Sequence, residues 1–362
     1  RAGRIRVAVR LRNIVVRDHN DAVVASAPKA EVKLSGTALL LGRLRAESLN
    51  LVDAELAVQI KPDGQVTIST GTNAQPIATA KTAAPSPAAG APPPDAAQPS
   101  SPEAAEGRSS LLAGLAWLDS LSLSGLDGQN LNELGLKNGR LIVDDEQRNG
   151  RWVFENISLS VRRPGAGGVA LKIGEAGPRP WSLAATIGPP TDGVRSVDIK
   201  ANKVSVRTLL LATRINGLTY SADMPLTGEL KGEIGRDGMP THIRGKIVAG
   251  AGNVIDSETP DYPMHIDHAE FNVEWDSGRQ ALVAPFKIVS GANRITLLAH
   301  LEPPNDRVPD WQFGLSGGTI VLGEHDDRQP LIFNRIAVSA RLDSANQRVL
   351  LTQADISNGD IG

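Results

Sequence analysis

Few residues in this chain have the types and spacing that chemistry needs. His265 and His268 stand three apart, near Asp261, Asp267 and Glu270. On a helix, two histidines at that spacing could hold a metal ion. The flanks, Pro260, Pro263 and the alternating Phe271 and Val273, instead predict an exposed polar loop entering a strand. His19, His242, His300 and His325 are scattered singly, so none reads as a catalytic base. Asp144-Asp145-Glu146 precedes Asn149-Gly150 in the manner of a calcium loop. Asn156 then stands where such a loop needs its bidentate glutamate, which leaves a polar hairpin tip. Gly250-Ala251-Gly252-Asn253 follows a strand and lacks the Gly and Lys pattern of a phosphate loop. No nucleophile elbow, zinc-protease helix or Ser/His/Asp grouping occurs. Asn156-Ile157-Ser158 is a formal glycosylation triplet inside a predicted strand. The expectation is a protein that is not an enzyme and that uses no metal or cofactor.

Composition narrows the remaining classes. Hydrophobic residues make up 41% of the 362, enough for a large apolar surface. Only 3% are aromatic, so that surface is aliphatic, which suits smooth strands better than a core built on rings. The net charge of -2 gives no average neutralisation of a phosphate backbone, so no nucleic-acid partner is expected. There are no cysteines, which removes disulfides, thiolate metal sites and cysteine nucleophiles. No segment has the apolar length of a membrane span. The chain starts in strand-like sequence and stops after another alternating run, as expected of a piece of a longer protein.

The elements that would carry such a surface are strands. Leu136 to Val161 read as a hairpin: Asn138-Gly139 opens it, Leu141 and Val143 alternate with polar residues, and Asn149-Gly150 turns. Phe154, Ile157, Leu159 and Val161 follow, with one break in the two-residue period between Phe154 and Ile157. The same spacing returns without a gap as Leu315, Gly318, Ile320, Leu322, Phe333, Ile336 and Val338. An earlier cousin runs through Leu51, Ala54, Leu56 and Val58 to a turn at Asp63-Gly64. Repeats of this kind cannot bury an apolar face alone and must stack on neighbours. Residues 4–12 alternate Arg4, Arg6, Arg10 and Arg12 with Ile5, Val7, Val9 and Leu11, as a strand with one solvated face. Ala38 to Gly42 predicts one or two helical turns, and Leu111 to Leu121 a helix. A further helical turn is expected at Leu209 to Ala212. Residues 71–109, rich in Ala, Pro and Ser, have too little apolar surface to offset their ordering entropy and predict a mobile loop.

The expected fold is all-β with minor α: an elongated, curled antiparallel sheet forming an open apolar groove, with one or two short helices. Its expected divisions are a groove start at 1–70, the loop at 71–109 and continuing groove repeats at 110–362. A groove needs only continuous apolar surface to take acyl chains, and no catalytic geometry. A closed sandwich or packed scaffold would use the same pattern. A one-residue slip exchanges the two faces of a strand, so the inward set is not fixed by alternation alone. The candidate floor positions are Val7, Val9, Leu11, Leu49, Leu51, Leu56, Val58, Leu141, Val143, Ile157, Leu159, Ile243, Ile247, Ile295 and Leu297.

The strand, the apolar turn at Leu39 to Leu44, then Leu49, Leu51, Ala54, Glu55, Leu56, Val58 and Asp63-Gly64 together resemble the AsmA-like proteins of Gram-negative envelopes. The later LAWLDSLSLSGLDG, NGRLIVDDEQRNGRWVFENISLSV and SGANRITLLAHLEPP look like the YhdP-type branch of that family. The resemblance spans most of the chain outside 71–109, and its motifs specify architecture better than substrate. It implies a bridge-like lipid transport protein of the periplasm, anchored in the inner membrane by a helix this chain lacks. Phospholipid acyl chains would move along the groove, and the inner and outer membranes would be met by parts absent here. It brings no catalytic residue. The rival expectation is a scaffold with a closed β core that assists outer-membrane protein assembly.

Overall fold

Among the described residues of the computed structural model, the regular structure comprises twenty-three strands and one five-residue helix. The structure describes residues 6–17, 23–62, 65–69, 78–81, 131–146, 150–164, 167–206, 220–236, 239–256, 258–303, 308, 310–323, 329–343 and 348–358. The chain divides into two units, Arg1–Ala89 with Ser110–Pro189, and Gly90–Ser109 with Pro190–Gly362.

The first unit holds β1 (Arg6–Arg17), β2 (Val23–Ser35), α1 (Gly36–Leu40), β3 (Ala46–Val52), β4 (Glu55–Ile60), β5 (Gln65–Ser69) and β6 (Ala78–Lys81). It continues through β7 (Glu133–Asp145), β8 (Gly150–Arg162), β9 (Val169–Glu175) and β10 (Trp181–Ile187). β1 pairs with β2 and β2 with β3, while β6, β5 and β4 pair in the same way. β3 and β4 then lie end to end along one edge of β7, and β8, β9 and β10 follow on its other side. The sheet is open and not closed into a barrel.

The sheet is mostly antiparallel, as expected, with a local exception: β3 and β4 run parallel to β7. The reason is visible in the register. Leu51 lies opposite Leu136, Leu56 opposite Leu141, and Val58 opposite Val143, so the two cousin sequences match spacing for spacing side by side. Each needs a bulge at the same place. Asp53 (φ 56°) and Asn138 (φ 50°) both adopt the left-handed conformation, and the Asn138 side-chain amide donates to Asp53 Oδ1 at 2.8 Å. Asn156 (φ 56°) puts a third such residue in the gap between Phe154 and Ile157. Bulges of this type bend a strand and increase its twist, which curls the sheet.

Among the described residues, the second unit is antiparallel in its strand pairs. It contains β11 (Arg195–Ser205), β12 (Tyr220–Ala222), β13 (Pro225–Ile234), β14 (Pro240–Ala249), β15 (Gly252–Asp256), β16 (Met264–Ile266) and β17 (His268–Asp276). β18 (Ala281–Ser290), β19 (Asn293–Glu302), β20 (Trp311–Leu322), β21 (Leu331–Phe333), β22 (Arg335–Asp343) and β23 (Arg348–Ser357) complete it. β11, β13, β14, β17, β18, β19, β20, β22 and β23 pair in that order, with β21 also on β20. β12, β15 and β16 form a separate small sheet. Its Val254 and Ile266 pack on Ala249 and Ala269 of the large sheet, as a flap over one part of it.

Other expectations are refined. β1 and β2 run unbroken where shorter strands were expected, with Asn13 (φ 51°) and Pro28 absorbed inside them. Asn138-Gly139 is a bulge within β7 and not the opening of the hairpin. Gly150 already pairs with Asp145, so the loop is longer than a two-residue Asn-Gly turn. Residues 78–81, inside the expected loop, pair as β6 with β5. His265 lies in β16 and not in a loop. The helix at 111–121, the helical turn at 209–212, the Asp63-Gly64 turn and the rest of 71–109 lie outside the described residues.

Candidate functional site: an apolar face in each unit

Residues directly opposite one another on paired strands project from the same face, so register converts the strand list into surfaces. In the first unit one row runs Leu11, Ala30, Leu51, Leu136, Leu159, Ile173, Leu183. Its neighbour runs Val9, Val32, Leu49, Leu134, Val161, Leu171, Ala185. Every position in both rows is aliphatic. The rows on the other face carry Arg10, Glu31, Asn50, Gly135, Ser160 and Lys172. A clean division along these rows requires that no strand slip by one residue, though further along the sheet Glu175 lies opposite Ile157 and Asp145 opposite Ile60 on the apolar face.

The second unit repeats the division. Val204, Leu226, Ala249, Ala269, Ile288, Ile295, Ile320 and Phe333 lie opposite one another in turn. Ala201, Gly228, Ile247, Phe271, Phe286 and Leu297 form the next row. The Phe271 and Phe286 rings stack with centroids 5.4 Å apart. The opposite face is laced by Lys200–Glu229, Arg244–Glu274 and Lys246–Glu270 pairs. Exposed pairs like these add little stability. Their effect is to keep that face wet. A depression there is lined by Arg244, Lys246, Glu274 and Asn272 over Val283 and Leu298, and the pairing just described takes up much of its charge.

The candidate floor positions fall on these apolar faces. Val9, Leu11, Leu49, Leu51, Leu56, Val58, Leu141, Val143, Ile157 and Leu159 share one face of the first unit. Ile243, Ile247, Ile295 and Leu297 share one face of the second. Val7 pairs with Leu34 through the backbone, and its side chain lies outside the described set. The faces are unevenly covered. Leu51, Leu136 and Ile157 are buried, and so are Phe286, Leu297 and Ile336. Val9, Leu11, Leu322 and Leu331 are exposed, and most other floor residues are half-buried. The floor set chosen from sequence leaves out Ala30, Leu134, Leu136, Leu226, Ala249, Ala269 and Ile288. The alternation signal marks each of them, and only pairing shows which rows they join.

The charged face of the first unit has its own centre. Glu31 accepts from Lys137 and pairs with Arg10, which together hold its carboxyl below the ordinary glutamate value of 4.5 against a small opposing effect of burial. Asp53 is lowered by hydrogen bonds from Lys29 and Asn138, and Glu270 by one from Lys246. Each is a carboxylate held ionised by a cross-strand partner. Among the described residues no group of His, Asp and Glu could hold a metal ion. No helix among them is long and apolar enough to cross a membrane, which leaves strands aside. No protein-family model, curated protein or solved structure matches the chain.

Proposed function

We propose that this chain conducts phospholipid acyl chains along its apolar faces, as a segment of a bridge-like transporter of the AsmA-like kind working between inner and outer membranes. The observation that carries the reading is the set of aliphatic rows in each unit, left partly uncovered; in the first unit charge enters that face only beyond those rows, at Glu175 opposite Ile157 and Asp145 opposite Ile60. A hydrocarbon tail lying on such a row removes apolar surface from water at about 25 cal/mol per Å² on each side. It needs no directional partner, so the scarcity of catalytic groupings fits. The resemblance to envelope proteins supplies the periplasmic setting and the two membranes.

The rival reading is a structural envelope module with a filled core. It draws on the sealed patch of Phe286, Leu297 and Ile336. Mass spectrometry of gently purified protein separates the two, since the first expects co-purifying phospholipid and the second none. Leu11→Asp and Val9→Asp are the informative variants, because both positions are exposed and a carboxylate there keeps its contact with water, so melting temperature should hold. Lipid transfer between vesicles should fall roughly tenfold in the pair, for want of a partner for the introduced charge in hydrocarbon. Arg12→Asp, on the opposite face, should leave transfer unchanged. Equal tolerance on both faces sinks the proposal.

A further inference from the structure

The short connection between β2 and β3 is the least economical part of the first unit. α1 buries no residue at all. Leu40, Leu41 and Leu44 are 76%, 76% and 82% exposed, the last the most exposed leucine among those described. Isolated apolar residues on a surface need no explanation, but three within five positions on one small projection do. The projection is also held in shape. Gly42 (φ 72°) donates to the Leu39 carbonyl and Arg43 to the Ala38 carbonyl, which ends the helix in a Schellman motif. The Ser35 amide bonds the Arg45 carbonyl across its base. The leucines are therefore displayed by a defined backbone.

Charge says what they are displayed to. From Val32 to Ala46 there is no acidic residue, while Lys33, Arg43 and Arg45 are present and exposed. None of the three makes an ion pair among the described residues. Three leucines at a tip with unneutralised cations at its base match an anionic bilayer surface, with the apolar side chains entering the acyl boundary and the cations meeting phosphate. A protein partner would need a complementary acidic pocket, and a second copy docking through the same projection would bring like charge against like. The projection stands next to the Leu34–Ala46 pair, where the apolar rows of the first unit end.

We propose that residues 36–45 form a bilayer-docking lip that inserts Leu40, Leu41 and Leu44 into an anionic membrane surface, with Arg43 and Arg45 on its headgroups. The lip does not depend on lipid conduction, since a sheet with a closed core could dock in the same way.

The test uses the full chain and vesicles of phosphatidylcholine, with and without phosphatidylglycerol. Sedimentation should show binding that is stronger with phosphatidylglycerol and falls with salt. Leu40→Ser, Leu41→Ser and Leu44→Ser should each weaken it about tenfold, and Arg43→Gln or Arg45→Gln roughly fivefold each. These positions are solvated, so melting temperature should hold. Because the chain has no cysteine, Leu41→Cys carries a single environment-sensitive dye. Its emission should shift to the blue on adding anionic vesicles. Undiminished binding by the triple serine variant, or no shift, overturns the proposal. A shift that grows with protein concentration in the absence of vesicles overturns it in favour of self-association. Leu11→Asp keeps the two proposals separate, since it should reduce lipid transfer and leave vesicle binding intact.

Discussion

The β7–β8 hairpin and the β20–β22 hairpin make the same pairs in different surroundings. Leu136 opposes Leu159 as Leu315 opposes Val338. Leu141 opposes Phe154 as Ile320 opposes Phe333, and Val143 opposes Trp152 as Leu322 opposes Leu331. Yet β7 has parallel neighbours in β3 and β4, and β20 has an antiparallel one in β19. The bulge also differs. In the first unit it is Asn138, with its side chain donating to Asp53. In the second it is Gly317 and Gly318 at φ 66° and 74°. Spacing therefore sets register within the hairpin, whatever lies beside it. The left-handed residue at its centre is met in one case by a side-chain partner and in the other by the absence of a side chain.

The largest test of that comparison is Gly318→Val. A side chain there would meet the Thr296 carbonyl and force a β-branched residue to positive φ. Denaturant unfolding should show a loss of about 3 kcal/mol or more. Asn138→Val should cost roughly 1–2 kcal/mol for the same conformational reason, while Asn138→Gly should come within about 0.5 kcal/mol of the parent. If valine is tolerated at both positions, the left-handed conformation is not what constrains either bulge. The smallest effect concerns Glu31, which has no counterpart around Ser316, the residue matching Lys137. Its carboxyl is depressed in the folded state, so its contribution is present above pH 4.5 and disappears as pH falls through the lowered value. Glu31→Gln should lower stability slightly at neutral pH, converge on the parent at low pH, and so flatten the acid limb of a stability–pH curve. A variant curve that keeps the parent's slope below that pH would assign the acid response to other groups.

Much of this was legible in the residues. The break between Phe154 and Ile157 is where Asn156 turns left-handed, and the matching break between Phe333 and Ile336 is where β21 gives way to β22. Alternation selected floor positions that share a face because period two is the geometry of a strand. The parallel placement of β3 and β4 on β7 was not legible, since nothing local in either sequence says which distant edge it will meet. The flap was missed for a similar reason. Met264 to Ile266 is too short to signal a strand, and its burial on Ala249 and Ala269 is a tertiary fact. The polar neighbours His265 and Asp267 drew attention to metal chemistry, where they instead tie the flap: Ser290 donates to the His265 carbonyl, and Gly291 donates to Asp267.

The matched bulges at Asp53 and Asn138 have a consequence for how such a molecule can change size. Because cousin segments align residue for residue even when laid side by side, a duplicated hairpin arrives already in phase with its host. Each added pair of strands would widen a sheet by about 9.6 Å without turning a single charged side chain toward the oily side. Span becomes something that evolution, or a designer, can adjust by counting.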